Sequence, residues 1–257
     1  MAERLFPDVH IAPPVAPTID PDRLPYIHRL LLGFYGQPLA RVSWDPLTQF
    51  VYSLLSSRTK DQQSQQVMRD LRARFGPSEA GPVASDWEAV RDAPVEEIER
   101  TVAAVTFPEV KAPRLKAALV GITARYGSLT LDFLAKYRTE KIRAWLESFE
   151  GVGPQISAAV VNFSTLRRRA ICVDGHHLRV TQRLGLTPRG DARRTEDLLM
   201  RLVPETWTAE MLDEHHSLIK VHGQTLCTFA EPRCAECSLL KLCPYGQRQT
   251  GAGVGSG

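Results

Sequence analysis

The stretch Thr139–Asn162, TEKIRAWLESFEGVGPQISAAVVN, decides how the rest of the chain is read. Ile142, Trp145, Leu146 and Phe149 recur at three- and four-residue spacing and define the buried face of one helix. Gly151-Val152-Gly153 then makes a tight turn, because the flanking glycines admit positive φ and close backbone approach. Pro154 suits the first position of a second helix, whose inner face is Ile156, Ala159, Val160 and Phe163. Together residues 139–164 form a helix–hairpin–helix. The open N–H groups at the second N-terminus can hold a phosphate without any side chain, so such an element grips a nucleic-acid backbone rather than reading bases. An ordinary αα-hairpin with a glycine turn fits these residues equally well.

On either side of this hairpin the pattern is helical almost throughout. Asp45-Pro46 reads as an N-cap and first turn, followed by Phe50, Val51, Leu54 and Leu55 on one face. Val67, Leu71 and Phe75 repeat until Gly76; Pro94 opens a segment with Ile98, Val102 and Val105; Leu115, Leu119 and Ile122 run on to Gly127. Segments around Leu198–Val203 and Met211–Val221 behave alike. With no series of alternating strands and no fixed-period repeat, the expected class is all-α. Residues 1–20, with Pro13, Pro14 and Pro17, and residues 247–257, ending in TGAGVGSG, read as flexible tails.

Composition narrows the function classes. A hydrophobic content of 43% and a charged content of 24% over 257 residues suit one or two globular domains and exclude wholesale disorder. No apolar run approaches the ~20 residues of a membrane span. The first residues, MAERLFPDVHIAPPVAPTID, contain no apolar core of a signal peptide, so an intracellular, cytoplasmic protein is expected. A net charge of +3, from 32 basic and 29 acidic residues, permits nucleic acid as a partner without pointing to it.

Two further segments carry chemistry. Val173-Asp174-Gly175-His176-His177-Leu178-Arg179-Val180 sets an acid between an apolar stretch and a glycine. Asp174 either caps the following helix or serves as a carboxylate beside a reacting centre, where it activates water or stabilises positive charge. Near the C-terminus Cys227, Cys234, Cys237 and Cys243 space as C-x6-C-x2-C-x5-C, while Cys172 stands alone in an apolar stretch. Such thiolates suit zinc or an iron–sulfur cluster; structural zinc usually pairs two knuckles across a longer loop, and here a single small loop closes the site.

In this order, LLSSRTKDQ (54–62), FEGVGPQISA (149–158), VDGHHLRV (173–180) and VHGQTLC (221–227) leading into the cysteines resemble the endonuclease III family of DNA glycosylases. The resemblance runs from about Pro46 to Tyr245 and includes the cysteine spacing residue for residue. It implies a six-helix barrel domain (42–169) beside a cluster domain made of 21–41 and 170–246, with a [4Fe–4S] cluster on the four cysteines. It also implies that double-stranded DNA lies across the cleft between the domains and that a damaged or mismatched base is flipped into it. By position Asp174 matches the catalytic aspartate, and Gly151, Val152 and Gly153 the backbone-gripping hairpin. Arg233 and Lys241 fall where the family presents cations to phosphate, and Lys111 is a further DNA-contact candidate.

Three departures bear on substrate and chemistry. Gln155 stands where bifunctional members carry the lysine that forms a Schiff base with the sugar; an amide nitrogen, its lone pair delocalised, cannot do so. Arg58 stands where glutamine usually fills the hole left by the flipped base. In VTFPEVKAPRL (105–115), read as a loop, Phe107 is the candidate apolar wedge, although Pro108 and Pro113 make the segment unlike the usual one and a core phenylalanine is the competing reading. Residues 47–60 contain no carboxylate where the adenine-excising branch keeps a catalytic glutamate. The expectation is a monomeric base-excision glycosylase, by default for oxidised pyrimidines, hydrolysing the N-glycosidic bond with weak or no AP lyase activity and acting at the nucleoid. The competing readings are a mismatch or alkylated-base glycosylase, and a non-catalytic module for damaged or bent DNA.

Overall fold

The structure is a computed structural model that describes residues 20, 22–76 and 86–251. Among these residues it contains helices and no strand, as the hydrophobic spacing requires. In chain order the α-helices are α1 (Arg23–Tyr35), α2 (Pro46–Ser56), α3 (Asp61–Phe75), α4 (Trp87–Asp92), α5 (Val95–Thr101), α6 (Pro108–Tyr126), α7 (Thr139–Leu146), α8 (Pro154–Phe163), α9 (Gly175–Arg183), α10 (Ala192–Met200), α11 (Ala209–Thr225) and α12 (Pro244–Thr250).

Their starts are written locally. Asp45 accepts hydrogen bonds from the N–H groups of Leu47 and Thr48, both at 2.9 Å, with Pro46 in the first turn of α2. Asp86, Asp174, Asp191 and Thr208 cap α4, α9, α10 and α11 in the same way. Each such cap satisfies a backbone donor that the helix itself leaves open, a gain of about 1 kcal/mol.

Two expectations are corrected here. Residues 105–115 are not a loop: Pro108 opens α6, where a missing N–H costs nothing, and Pro113 sits inside that helix, leaving only 102–107 as the connection. The tail read over 247–257 begins as helix, because Pro244 and the Cys243 sulfur, which accepts from the Gly246 N–H at 3.3 Å, start α12, and Gly251 at φ 70° ends it. Residues 252–257, and the tail read over 1–20 apart from Asp20, lie outside the described residues.

Burial sorts the apolar side chains into two cores. One gathers Leu47, Phe50, Val51, Leu54 and Leu55 of α2 with Leu71, Ile98, Leu115, Leu119, Ile142, Leu146 and Val160. The other gathers Leu24, Ile27 and Leu31 of α1 with Val180, Leu199, Leu212, Leu218, Ile219 and Leu239. The extended segment 170–173 stitches them together: Ala170 and Cys172 enter the first core, Ile171 and Val173 the second. That period-two alternation sends successive side chains to opposite sides of the backbone. Asp174 follows directly and so emerges at the seam.

Candidate active site

A cleft runs along this seam, lined from one side by Gln49, Tyr52, Ser53, Arg58, Asp61 and Gln155 and from the other by Asp174, His176, His216, Lys220 and Phe229. Asp174 caps the following helix and also reaches the cleft. Its Oδ1 accepts the His177 N–H at 2.8 Å, capping α9, while the side chain remains 15% exposed on the cleft wall. Burial alone would raise the pKa of its carboxyl, but His216, which gains its charge in acid before the carboxylate is protonated, and the His177 N–H outweigh it and hold the carboxyl below its ordinary range. Gln155 occupies the second residue of α8, half-buried in the same cleft.

In the hairpin Val152 is buried and Gly151 takes φ 81°, as the turn needs. Gly153 does not: its φ is −106°, and a Cβ built on it would meet nothing within 4 Å. The open space in front of the α8 N-terminus, which no side chain caps, is what this second glycine contributes.

Arg58 and Phe107 are both exposed, and both hold the left-handed backbone, at φ 57° and 61°, that side chains with a Cβ rarely adopt. Their loops are tied together. The Thr106 hydroxyl donates to the Arg58 carbonyl at 3.0 Å, and the Thr106 N–H donates to Thr59 Oγ1 at 3.1 Å. The core-phenylalanine reading of Phe107 therefore does not hold, since the ring is 52% exposed.

Lys111 is corrected: it points away from solvent rather than toward DNA. Its Nζ donates to the carbonyls of Leu55 at 2.7 Å and Ser57 at 2.6 Å and to Thr59 Oγ1 at 3.0 Å. It thereby caps the open C-terminal carbonyls of α2 and braces the loop that carries Arg58. Burial, with the nearby Arg58 charge, lowers its pKa to about 8. Sequence spacing carried no sign of this, because an ammonium that satisfies carbonyls looks like any other lysine.

The cysteines line a second, small cavity with Val180, Leu184, Leu226 and Leu239. N–H groups point at their sulfurs: Leu239 to Cys237 at 3.4 Å, Gly246 to Cys243 at 3.3 Å, and the Arg183 guanidinium to Cys227 at 3.4 Å. Arg233 and Lys241 are exposed on the same loop, and Arg233 pairs with Glu236 at 3.1 Å. Cys172 is buried elsewhere, behind Gln155, its thiol pKa raised by burial.

Residues 51–205 match the family described as HhH-GPD superfamily base excision DNA repair protein. Endonuclease III of Bacillus subtilis (strain 168) is 32% identical over 163 residues, 63% of this chain and 68% of that protein. The chain belongs to the endonuclease III family of that superfamily. It is a base-excision-repair DNA glycosylase of the endonuclease III type. Endonuclease III of Synechocystis sp. (strain ATCC 27184 / PCC 6803 / Kazusa) is 28% identical over 204 residues, 79% of this chain and 82% of that protein. In fold, the chain superposes on a non-covalent endonuclease III–DNA complex with a TM-score of 0.72 at 22% identity, covering 90% of this chain and 99% of that one. A thermostable thymine-DNA glycosylase superposes with a TM-score of 0.65 at 18% identity, covering 88% and 98%. Among the described residues no helix is long and apolar enough to cross a membrane.

Among the residues lining the cleft, sequence reading missed Asp61, His216 and Phe229, and left Lys220 unplaced. Lys220 Nζ and Gln224 Nε2 both reach the Asp61 carboxylate, at 2.6 and 3.0 Å, bridging α11 to the start of α3 across the cleft. The i, i+4 spacing of His216 and Lys220 on α11 was the available signal, since it aims both side chains at one face.

Proposed function

We propose that this glycosylase is monofunctional: it hydrolyses the N-glycosidic bond of a flipped, damaged pyrimidine and leaves the abasic strand largely uncut. The observation that carries this reading is the pairing, in one cleft, of a carboxylate at Asp174 with an amide at Gln155 where an amine would have to stand. Asp174 is ionised and aimed at the cleft, so it stabilises the positive charge that grows on the sugar as the base departs and accepts a proton from the attacking water. Gln155 offers hydrogen bonds to sugar or base and no nucleophile.

The DNA lies across the seam between the two cores, which we assign as a barrel domain over 42–169 and a cluster domain of 21–41 with 170–246. Arg58 and Phe107 fill the gap in the duplex, the hairpin 151–153 and the α8 N-terminus hold the phosphate, and Arg233 and Lys241 add cationic contact from the cysteine loop. The protein works as a monomer inside the cell, on nucleoid DNA.

Cys227, Cys234, Cys237 and Cys243 hold one [4Fe–4S] cluster. The support is chemical. Four sulfurs share an apolar cavity, and N–H groups are aimed at three of them, as an accepting thiolate requires. The cluster would supply a rigid cross-link for the loop, and purified protein should be brown with iron and inorganic sulfide in equal amounts, with Cys172 dispensable for both.

The deciding experiment is base release from duplexes carrying oxidised, alkylated and mismatched bases, read with and without alkali. Strand breaks that appear only after alkali are expected, strongest for an oxidised pyrimidine. Breaks without alkali would refute the monofunctional reading, and preferential release of mismatched thymine or an alkylated base would move the substrate to those classes.

A further inference from the structure

His216 stands directly behind Asp174 on α11, lining the cleft at 4% exposure. Its Nδ1 is 2.9 Å from the Cys172 carbonyl oxygen. A carbonyl only accepts, so Nδ1 carries the hydrogen, and in the neutral ring Nε2 is left as a bare lone pair. That lone pair faces Asp174, with Nε2 3.9 Å from Oδ2. Two acceptors at this distance share no hydrogen bond, and one proton placed between them would satisfy both. The other carboxylate oxygen, Oδ1, is already engaged by the His177 N–H at 2.8 Å. The ring cannot turn away freely, because Phe163 and His177 pack against it with centroids 5.1 and 5.8 Å distant.

We propose that His216 is the positioning residue for Asp174: it accepts, at Nε2, the proton that Asp174 takes from the attacking water. The inference rests on the reading of Asp174 given above. In the balanced step, the C1′–N bond breaks with its electron pair leaving on the base, and the water oxygen bonds to C1′. The water proton passes to Asp174 Oδ2 and on to His216 Nε2. The released base takes a proton from solvent, and the imidazolium returns its own to solvent before the next turnover. The resulting cation donates to the Cys172 carbonyl through Nδ1 and to the restored Asp174 carboxylate through Nε2.

The charged and titratable groups around the ring are Asp174 and Cys172 from the segment before α9, His177 from α9, Arg41 from the segment before α2, and His215 and Lys220 from α11. Burial keeps the ring neutral at neutral pH; Asp174 opposes that, and Arg41 and Lys220 reinforce it.

The test is single-turnover release of thymine glycol, and of thymine from a T·G pair, from labelled duplexes between about pH 3 and about pH 9, a range that includes the carboxylate limb as well as the histidine range. His216→Asn keeps a side-chain N–H for the Cys172 carbonyl and removes the nitrogen that faces Asp174. It should slow release by about 10- to 100-fold and move the acid limb of the profile up by roughly half a unit to one unit, because the neighbour that keeps Asp174 ionised is gone. Affinity for abasic-site DNA should stay within about twofold of wild type. An unchanged acid limb, whether the rate falls or not, would overturn the proposal.

Should His216→Asn fail to fold, the unmutated fold still reports. With 15N-labelled histidine, His216 Nε2 should titrate below the usual histidine range, and lower still in Asp174→Asn; no change between the two proteins would show that the groups are uncoupled. Full excision by Asp174→Asn, or no release of either base by wild type, would instead remove the reading on which this inference rests. An inactive Asp174→Asn alongside a fully active His216→Asn would remove the inference alone.

Discussion

A residue's type matters here only together with what its neighbours leave open. Asp174 caps α9 with one oxygen and keeps the other for the cleft. Asp174→Asn preserves the shape and a capping oxygen while deleting the charge that a developing sugar cation requires. Base release should fall by at least about 10²-fold with abasic-site affinity nearly intact, measured by single-turnover kinetics and binding to an abasic duplex. Gln155 makes the complementary case. The wild-type protein should give no covalent complex with abasic DNA under borohydride, and Gln155→Lys should restore some trapping if the half-buried site desolvates the new amine enough to free its lone pair. Efficient trapping by the unmutated protein would point to another amine, and the cleft already holds one in Lys220.

At the scale of elements, the loops after α2 and before α6 behave as one unit. Each contains a residue in the left-handed region, at Arg58 and Phe107, a conformation that costs on the order of 1 kcal/mol or more and persists because the surroundings enforce it. The enforcement is visible in the Thr106 bonds and in Lys111, which satisfies acceptors on Leu55, Ser57 and Thr59. Lys111→Met should destabilise the fold by about 1–3 kcal/mol, the cost of stranding those acceptors, measured by urea unfolding. It should also reproduce, through a slackened loop, the effect of Arg58→Ala. Arg58→Ala and Phe107→Ala should each slow release more from a stably paired lesion than from a mismatched one, which costs less to unstack. Equal slowing on both substrates with a shallower salt dependence would reassign Arg58 to phosphate contact.

For the molecule as a whole, a seam of buried histidines joins α1, α9 and α11. His28, His177, His215 and His216 are each at most 5% exposed. Burial lowers the pKa of all of them, that of His177 to about 3, so the folded protein resists protonation that the unfolded chain accepts near 6.5. The unfolded state therefore binds more protons below that pH, and stability must fall as pH drops from about 6.5 toward 4, by about 1.4 kcal/mol per unit for His177, with the other three adding loss only down to their own folded pKa. Asp174, whose pKa is lowered, adds loss in the same direction only within the acid carboxylate range. Thermal unfolding at about pH 7 and about pH 5 checks this; a flat profile would contradict it, and His177→Leu should make the slope shallower.

The sequence by itself determined most of the longer helices, the caps at Asp45 and Asp174, the hairpin and the four clustered cysteines, because each is a local statement: three- and four-residue spacing, an Asp before a helix, a glycine where φ turns positive, thiols within one short loop. It also placed Asp174 and Gln155, whose positions follow from segments a few residues long. Only the tertiary structure decided which side chains share the cleft. Asp61 and Lys220 are 159 positions apart yet form one ion pair, and Lys111 turns inward because α2 presents it with unsatisfied carbonyls from 54 and 56 positions away. Phe107 stays out of the core because a left-handed backbone tied to Arg58 aims it outward, although its apolarity alone would have buried it. Such choices depend on which donors, acceptors and surfaces meet after packing, and no local spacing encodes a partner that arrives from another element.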